Sequence, residues 1–252
     1  DNEDTFYKGK LIKTDKNEKH YIDGLKEREI LLYAGTKYHL SQWYYRSKID
    51  YLFIDEAGQI SLADLIALGG IAKNIILVGD QQQLKQPSQG NHPGSSGTSV
   101  LDYLLEGKDT VEPEKGIFLN RTFRMHPNIN SFVSENFYEN KLLTNPENKN
   151  RKIELPPNFY IDKEGIHTIM MDHEDCAQTS EEELKKIDEI IKKLIGKKFT
   201  DADKKERPLT IEDFLIVSPY NAQVNFLLAR LPEGTRCGTI DRFQGQQAPV
   251  TI

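Results

Sequence analysis

The chain has 252 residues, 37% hydrophobic and 29% charged, with a net charge of −6. That length allows one large core or two smaller ones, and the composition is that of a soluble protein with no apolar run long enough to cross a membrane. Two cysteines far apart, Cys176 and Cys237, make neither a disulfide framework nor a zinc site; with an opening, DNEDTFYKGKLIK, that does not read as a secretory signal, a cytoplasmic setting is expected.

In chain order, EILLYAG (29–35) and YLFIDEA (51–57) predict strands, SLADLIALGGIA (61–72) a helix and NIILVGD (74–80) a further strand. Near-continuous apolar strands separated by helices predict a parallel sheet covered on both faces. QPSQGNHPGSSGTS (86–99) must be loop, VLDYLL (100–105) a short helix, and EGKDTVEPEKG (106–116) a boundary. The pattern then repeats with strand GIFLN (116–120), helix INSFVSENFYENKLL (129–143), polar loop NPENKNRKIELPPN (145–158) and strand GIHTIMMD (165–172). SEEELKKIDEIIKKLIGKK (180–198) is the clearest helix, with a capping box at Ser180 and Glu183 and acids leading lysines along the macrodipole. Its lysines read as a solvated face. Strand FLIVSPY, helix NAQVNFLLARL, strand RCGTI and a final APVTI complete an α/β chain in two parts, with TDADKKERP (200–208) as an exposed loop.

Four stretches carry the chemistry. Asp55 and Glu56 follow a buried strand, where open α/β sheets place their ligands; a cation there would be Mg²⁺ with a nucleotide, Glu56 acting on the attacking water. Alone, the pair is weak evidence and better fits a cap or a salt bridge. IILVGDQQQLKQP delivers a second acid, Asp80, and a candidate phosphate-sensing amide, Gln83, although polar residues filling a turn would look the same. LNRTFRMHPNI brings Arg121 and Arg124 around Phe123, which could stack on a base; arginine's fork suits phosphate oxygens. GTIDRFQGQQAPVTI places Thr239 and Asp241 after a strand and Phe243-Gln244-Gly245 at a turn into a helix, where Gly245 would let backbone approach a phosphate.

Taken together, DEAGQ, GDQQQLKQP, NRTFRMHP, VSPYNAQV and TIDRFQGQQ resemble motifs II through V of superfamily 1 helicases, in the 1B branch of DNA and RNA helicases. The likeness runs from about residue 29 and is greatest to the helicase half of bacterial proteins that fuse a RecB-like nuclease to such a motor. It implies two RecA-like, P-loop NTPase parallel-sheet domains, both incomplete: residues 1–112 with motifs II and III, and 113–252 with motifs IV and V. It implies ATP and Mg²⁺ as cofactors, with Asp55 the metal ligand, directly or through water, Glu56 the base, Asp80 and Gln83 at the γ-phosphate, and Arg124 reaching it across the domain cleft. Phe123 falls near the adenine, Gly245 and Gln247 near the nucleotide, and Gln59 between motifs II and III. Thr36 of GTKYHLSQW, with Pro219, Tyr220, Gln223 and Thr239, falls near single-stranded nucleic acid.

Two departures qualify the likeness. No G-x-x-x-x-G-K-[ST] loop and no motif VI arginine are in the sequence, and GNHPGSSGTS (90–99), which lacks the lysine, is rejected as a phosphate cradle. Gln247 replaces the usual glutamate. The expectation is a fragment of an ATP-dependent helicase or translocase on single-stranded DNA, with RNA possible and no membrane. Its partners would be the rest of the parent chain, including motif I and a RecB-like nuclease domain. Alone it would hydrolyse ATP poorly. A non-hydrolysing nucleic-acid module and an NTPase switch acting on a protein remain open.

Overall fold

The computed structural model describes residues 23–24, 32–42, 45–84, 90, 92–162, 164–173 and 176–252. The chain forms two compact units, Asp1–Asp109 and Thr110–Ile252.

In the first unit, α1 (Lys37–Leu40) precedes β1 (Ile49–Ile54), α2 (Leu62–Gly69), β2 (Ala72–Leu77) and α3 (Val100–Leu105). β1 and β2 pair in parallel, Ile54 opposite Leu77. Leu52, Ile54, Leu68, Ile71 and Val100 form the core with Leu40, Tyr45 and Ala57. The sequence predicted a parallel sheet covered on both faces; among the described residues only one face is packed. Leu52 and Ile54 are 6% and 7% exposed, whereas Tyr51 and Phe53 are 59% and 65% exposed. The two sides differ because side chains alternate across a strand and the core residues of α1, α2 and α3 cluster with Leu52 and Ile54. Of the strand expected at 29–35, residues 29–31 lie outside the described residues, and Leu32–Gly35 carries no strand.

α2 begins at Ser61, whose Oγ accepts the Asp64 N–H at 3.1 Å. The two N–H groups before it donate to the Gly-Ser loop, Leu62 to the Thr98 carbonyl at 2.9 Å and Ala63 to the Ser96 carbonyl at 3.1 Å. That loop therefore closes the amino end of α2 with its own carbonyls, leaving those donors unavailable to an anion.

The second unit contains β3 (Arg121–Thr122), α4 (Pro127–Phe137), β4 (Leu143–Thr144), β5 (Lys152–Ile153), α5 (Glu181–Leu194), β6 (Lys198–Thr200), β7 (Glu206–Pro208), β8 (Phe214–Val217), α6 (Asn221–Leu228), β9 (Arg236–Gly238) and β10 (Val250–Thr251). β10, β8 and β9 make a parallel sheet in that order, β3 pairs in parallel with β4, and β5, β6 and β7 are antiparallel. Leu184, Ile187, Ile190, Ile191 and Leu194 bury one face of α5 against Phe214, Ile216, Val224 and Leu227. Burial of each is worth about 1.5–3 kcal/mol. On its solvent side Lys192 pairs with Asp188 and Lys193 with Glu189, as a solvated face requires.

Four expectations for this unit need correction. GIFLN forms no strand; pairing starts one residue later, at Arg121, and Ile117 and Leu119 stay exposed. The helix over 129–143 stops at Phe137 because Glu139 and Asn140 adopt left-handed backbone, φ 52° and 59°, which turns Leu143 back to pair beside Arg121. GIHTIMMD is irregular, and of its apolar residues Ile169 packs on the main core while Met170 and Ile166 remain exposed. TDADKKERP is no plain loop but the turn and second strand of the β6–β7 hairpin. Asp201 fixes it by accepting the Lys205 N–H on Oδ1 at 2.9 Å, with Lys204 at φ 65°.

Two glycines set how close the acid-bearing ends of β1 and β2 can come. A Cβ on Gly58 would lie 2.5 Å from the Asp80 carbonyl oxygen, and one on Gly79 would lie 2.6 Å from the Ala57 nitrogen. Both obstacles are backbone. Gly58→Ala and Gly79→Ala are each expected to cost about 2–3 kcal/mol in urea unfolding, whereas Gly69→Ala, with open space around it, should be neutral or stabilising by up to about 1 kcal/mol.

Arg207 grips Asp213 with two 2.6 Å bonds, and the Asp213 carboxylate also accepts the Thr210 N–H at 2.8 Å. Burial alone would raise the Asp213 carboxyl, but the guanidinium and the Thr210 N–H outweigh it and hold the group below its usual range. A depressed folded value means the stabilisation is full above the unfolded value of about 4 and is lost as pH falls through the folded one. Asp213→Asn is accordingly expected to lower stability at neutral pH and flatten its fall in acid, read from urea midpoints between about pH 2 and 7.

Candidate active site

β1 delivers Asp55 and Glu56 directly beyond its last residue. Asp55 Oδ1 accepts the Glu56 N–H at 2.9 Å. Glu56 sits at φ 52°, ψ 42°, a left-handed conformation unusual for a residue with a Cβ, and opens the short 3₁₀ turn Ala57–Gln59. Stored strain of this kind concentrates at functional positions. Both side chains are exposed, and among the described residues neither carboxylate makes an ion pair.

β2 delivers the second acid. Asp80 Oδ1 accepts the Gln82 N–H at 3.0 Å and Oδ2 accepts the Gln83 side-chain amide at 3.2 Å. The Ala57 N–H donates to the Val78 carbonyl at 2.9 Å, and the Val78 N–H to the Ile54 carbonyl at 2.8 Å. Asp55, Glu56, Asp80 and Gln83 are thereby brought to one edge of one sheet, at the carboxyl ends of its strands. Among the described residues the link between the two loops is made by backbone, and the Gln59 N–H turns back onto the Glu56 carbonyl at 2.8 Å.

Among the described residues no three His, Cys, Asp or Glu side chains lie close enough to hold a metal by themselves. An exposed carboxylate at a strand end fits Mg²⁺, which takes one or two protein oxygens and completes its shell with phosphate and water. Asp55 offers that kind of ligand.

Thr36, also in the first unit, caps α1 by accepting the His39 N–H at 3.3 Å. Its neighbour Lys37 donates to Asp64 Oδ2 at 2.7 Å, tying the segment to the start of α2.

In the second unit, β3 and the loop after it present Arg121, Phe123 and Arg124 to solvent, Phe123 being 66% exposed. Thr122 Oγ1 accepts the Arg124 N–H at 3.2 Å, and fully buried Asn148 donates to the Met125 carbonyl at 3.0 Å. These bonds fix the loop. A cavity of about 1060 Å³ is lined by Arg124, His126, Pro219, Gln223 and Gln247. It gathers four of the expected site residues; Phe123, Tyr220, Thr239 and Gly245 are not in its wall. Exposed Tyr220 precedes α6, and Thr239 precedes a 3₁₀ turn over Ile240–Phe243. Gly245 has φ +75° with open space around it, but no helix follows. The helix expected there is replaced by a run into β10, with Gln246 held by Arg236 at 2.5 Å and by its own N–H on the Phe243 carbonyl at 2.9 Å.

Gln223 is placed differently from its expected position beside nucleic acid. It is 4% exposed. Its Oε1 accepts the Ser180 N–H at 2.9 Å and its Nε2 donates to Glu183 Oε2 at 3.1 Å. Ser180 Oγ accepts the Glu183 N–H at 3.1 Å, so Gln223 bridges the two residues expected to close the capping box on each other.

Desolvation and the nearby Glu182 and Glu183 push the Cys176 thiol up, and burial does the same to Cys237.

Residues 97–252 match the family model described as AAA domain. The chain belongs to this AAA domain family. The match covers more than half of the sequence and all of the second unit; Asp55, Glu56, Asp80 and Gln83 lie before it. Relatives extend the likeness across this edge. The chain is 29% identical over 227 residues to "DNA polymerase alpha-associated DNA helicase A" of Schizosaccharomyces pombe, covering 81% of this chain and 32% of that protein. It is 26% identical to "DNA replication ATP-dependent helicase/nuclease dna2" of the same organism, covering 82% and 16%, and 28% identical to its Gallus gallus counterpart, covering 82% and 20%. This AAA domain chain thus spans a third or less of these relatives. All three are named helicases, and the two helicase/nucleases are named ATP-dependent. Among the described residues no helix is long and apolar enough to cross a membrane.

The sequence reading missed Gly79 and Asn148. Gly79 had a signal, since it precedes an acid at a strand end. Asn148 had none, lying in a polar stretch that gives no hint of burial.

The strain at Glu56 can be read directly. Glu56→Ala and Glu56→Gly both remove the carboxylate, but only glycine relaxes the left-handed backbone. The glycine variant is expected to be the more stable by about 0.5–1 kcal/mol in urea unfolding.

Proposed function

We propose that this chain is part of an ATP-dependent helicase or translocase that acts on single-stranded DNA, and that its two units are RecA-like domains, 1–112 and 113–252. The observation that carries the reading is the in-register pairing of two parallel strands that end in Asp55-Glu56 and Asp80…Gln83. In this reading Asp55 holds Mg²⁺, directly or through water. The ion would offset phosphate charge when bound. Glu56 orients and deprotonates the attacking water, and Gln83, held by Asp80, senses the γ-phosphate through its amide without adding charge. Arg124 is assigned to the charge that develops on the transferred phosphoryl group.

Phe123 is exposed enough to stack on the adenine, and Gln247, in the cavity wall with Arg124, would meet the ribose through its amide. Gly245 supplies an unobstructed backbone approach to the nucleotide. Thr36, Pro219, Tyr220 and Thr239 are proposed along the single strand, with Gln223 holding the Pro219-Tyr220 loop from behind. DNA is preferred over RNA because relatives carry it in their names, and a nuclease domain in the same polypeptide is proposed by likeness to those named helicase/nuclease.

ATP hydrolysis by the full protein, measured with and without single-stranded DNA, tests the reading. DNA is expected to stimulate turnover. Glu56→Gln should lower kcat by about 10²–10⁴ while nucleotide binding persists, and Arg124→Ala should lower it by about 10³ or more. The 252-residue chain alone should turn over ATP poorly, having no G-x-x-x-x-G-K-[ST] loop in its sequence. Stimulated hydrolysis that survives Glu56→Gln would remove Glu56 from its role.

A further inference from the structure

The glutamines that follow Asp80 reach the last residues of the first unit. Gln81 Nε2 donates to the Asp109 carbonyl and lies 3.4 Å from the Lys108 carbonyl. Gln82 Nε2 donates to Asp109 Oδ1 at 2.7 Å. Asp109 ends the first unit. One residue on, Thr110 is buried within the second, where its Oγ1 accepts from Lys141 Nζ at 2.7 Å and donates to Glu139 Oε2 at 3.2 Å. The peptide at the boundary is thus held on one side by the glutamine run and on the other by a lysine–glutamate pair.

We infer that Gln81 and Gln82 form a clamp through which the Asp80–Gln83 loop sets the freedom of the Asp109–Thr110 boundary. The inference rests on the reading of Asp80 and Gln83 as the phosphate-facing loop. The path is short and continuous. Asp80 holds the Gln83 amide on one carboxylate oxygen and the Gln82 N–H on the other, and the Gln82 side chain holds Asp109. A phosphate that draws the Gln83 amide away takes one hydrogen bond from the Asp80 carboxylate, which shifts with the Gln82 N–H still held on Oδ1. The Gln82 backbone turns with it, and the bond to Asp109 lengthens or breaks.

Glutamine suits this task. Neutral amide bonds near the surface are individually weak, so two or three of them bias an equilibrium without locking it. Gln81 and Gln82 are positioning residues; neither is assigned contact with nucleotide.

Hydrogen exchange of the peptide spanning Leu105–Val111 tests the clamp without nucleotide. The double variant Gln81→Ala/Gln82→Ala is expected to exchange several-fold faster there, with α5 unchanged. Asp109→Asn, which keeps an oxygen acceptor, should behave as the wild type, and Asp109→Ala as Gln82→Ala. Asp80→Ala should loosen the same peptide, and adding Gln82→Ala to it should do little more, because the two act in series.

A non-hydrolysable ATP analogue with Mg²⁺ should then change protection of this peptide in the wild type and not in the double variant. Unchanged exchange in the double variant, or an equal response to the analogue, would overturn the clamp. Binding of a fluorescent ATP analogue is followed separately by anisotropy. Its absence would remove the nucleotide reading, while the nucleotide-free comparison still decides the clamp.

Discussion

The approach of two backbones, at the turn after β1 and the end of β2, governs everything proposed for the first unit. The Ala57 N–H donates to the Val78 carbonyl at 2.9 Å and the Val78 N–H to the Ile54 carbonyl at 2.8 Å, and no room is left for a side chain at Gly58 or Gly79. A single β-carbon there would force the loops apart. Since each loop carries its acid within two residues of these contacts, the spacing of Asp55, Glu56, Asp80 and Gln83 is set by main-chain geometry. Side chains then need only modest local bonds to be oriented, and the Asp55 and Glu56 carboxylates stay exposed. The cost is carried locally, in the left-handed backbone of Glu56.

The second unit positions its polar groups by a different device. Buried amides bridge elements that share no strand pairing: Asn148 reaches the loop that bears Arg124, and Gln223 joins the start of α5 to α6. A buried amide is worth keeping only when both its ends are satisfied. Gln223 meets that condition through Ser180 and Glu183. Pro219 and Tyr220, immediately before α6, therefore inherit their place from the amino end of a helix some forty residues earlier in the sequence.

Elements with strong local signals were legible. α2, α5, β8, α6 and β9 fall within the predicted stretches, and β1 and β2 overlap theirs but each start two residues earlier, because apolar spacing and caps agree with packing while strand ends are set by pairing. Failures came where tertiary context decides. GIFLN and GIHTIMMD have strand composition but no strand to pair with, and composition cannot supply one. The β6–β7 hairpin hid in a charged stretch because its turn depends on one aspartate and a left-handed lysine. Asp55, Glu56, Asp80 and Gln83 were readable as acids and an amide after apolar runs. Burial of Gln223 was not, since spacing places it one turn into a helix and says nothing of the Ser180 N–H waiting there.

The central claim is that the edge formed by these two strand ends is where a metal-bound triphosphate sits. Paramagnetic relaxation by Mn²⁺, substituted for Mg²⁺ in the presence of ATP and read residue by residue from backbone amide resonances, tests it most directly. The account predicts that broadening centres on Asp55–Glu56 and Asp80–Gln83 and weakens when ATP is withheld. Broadening centred elsewhere in the first unit, with these amides unaffected, would contradict it.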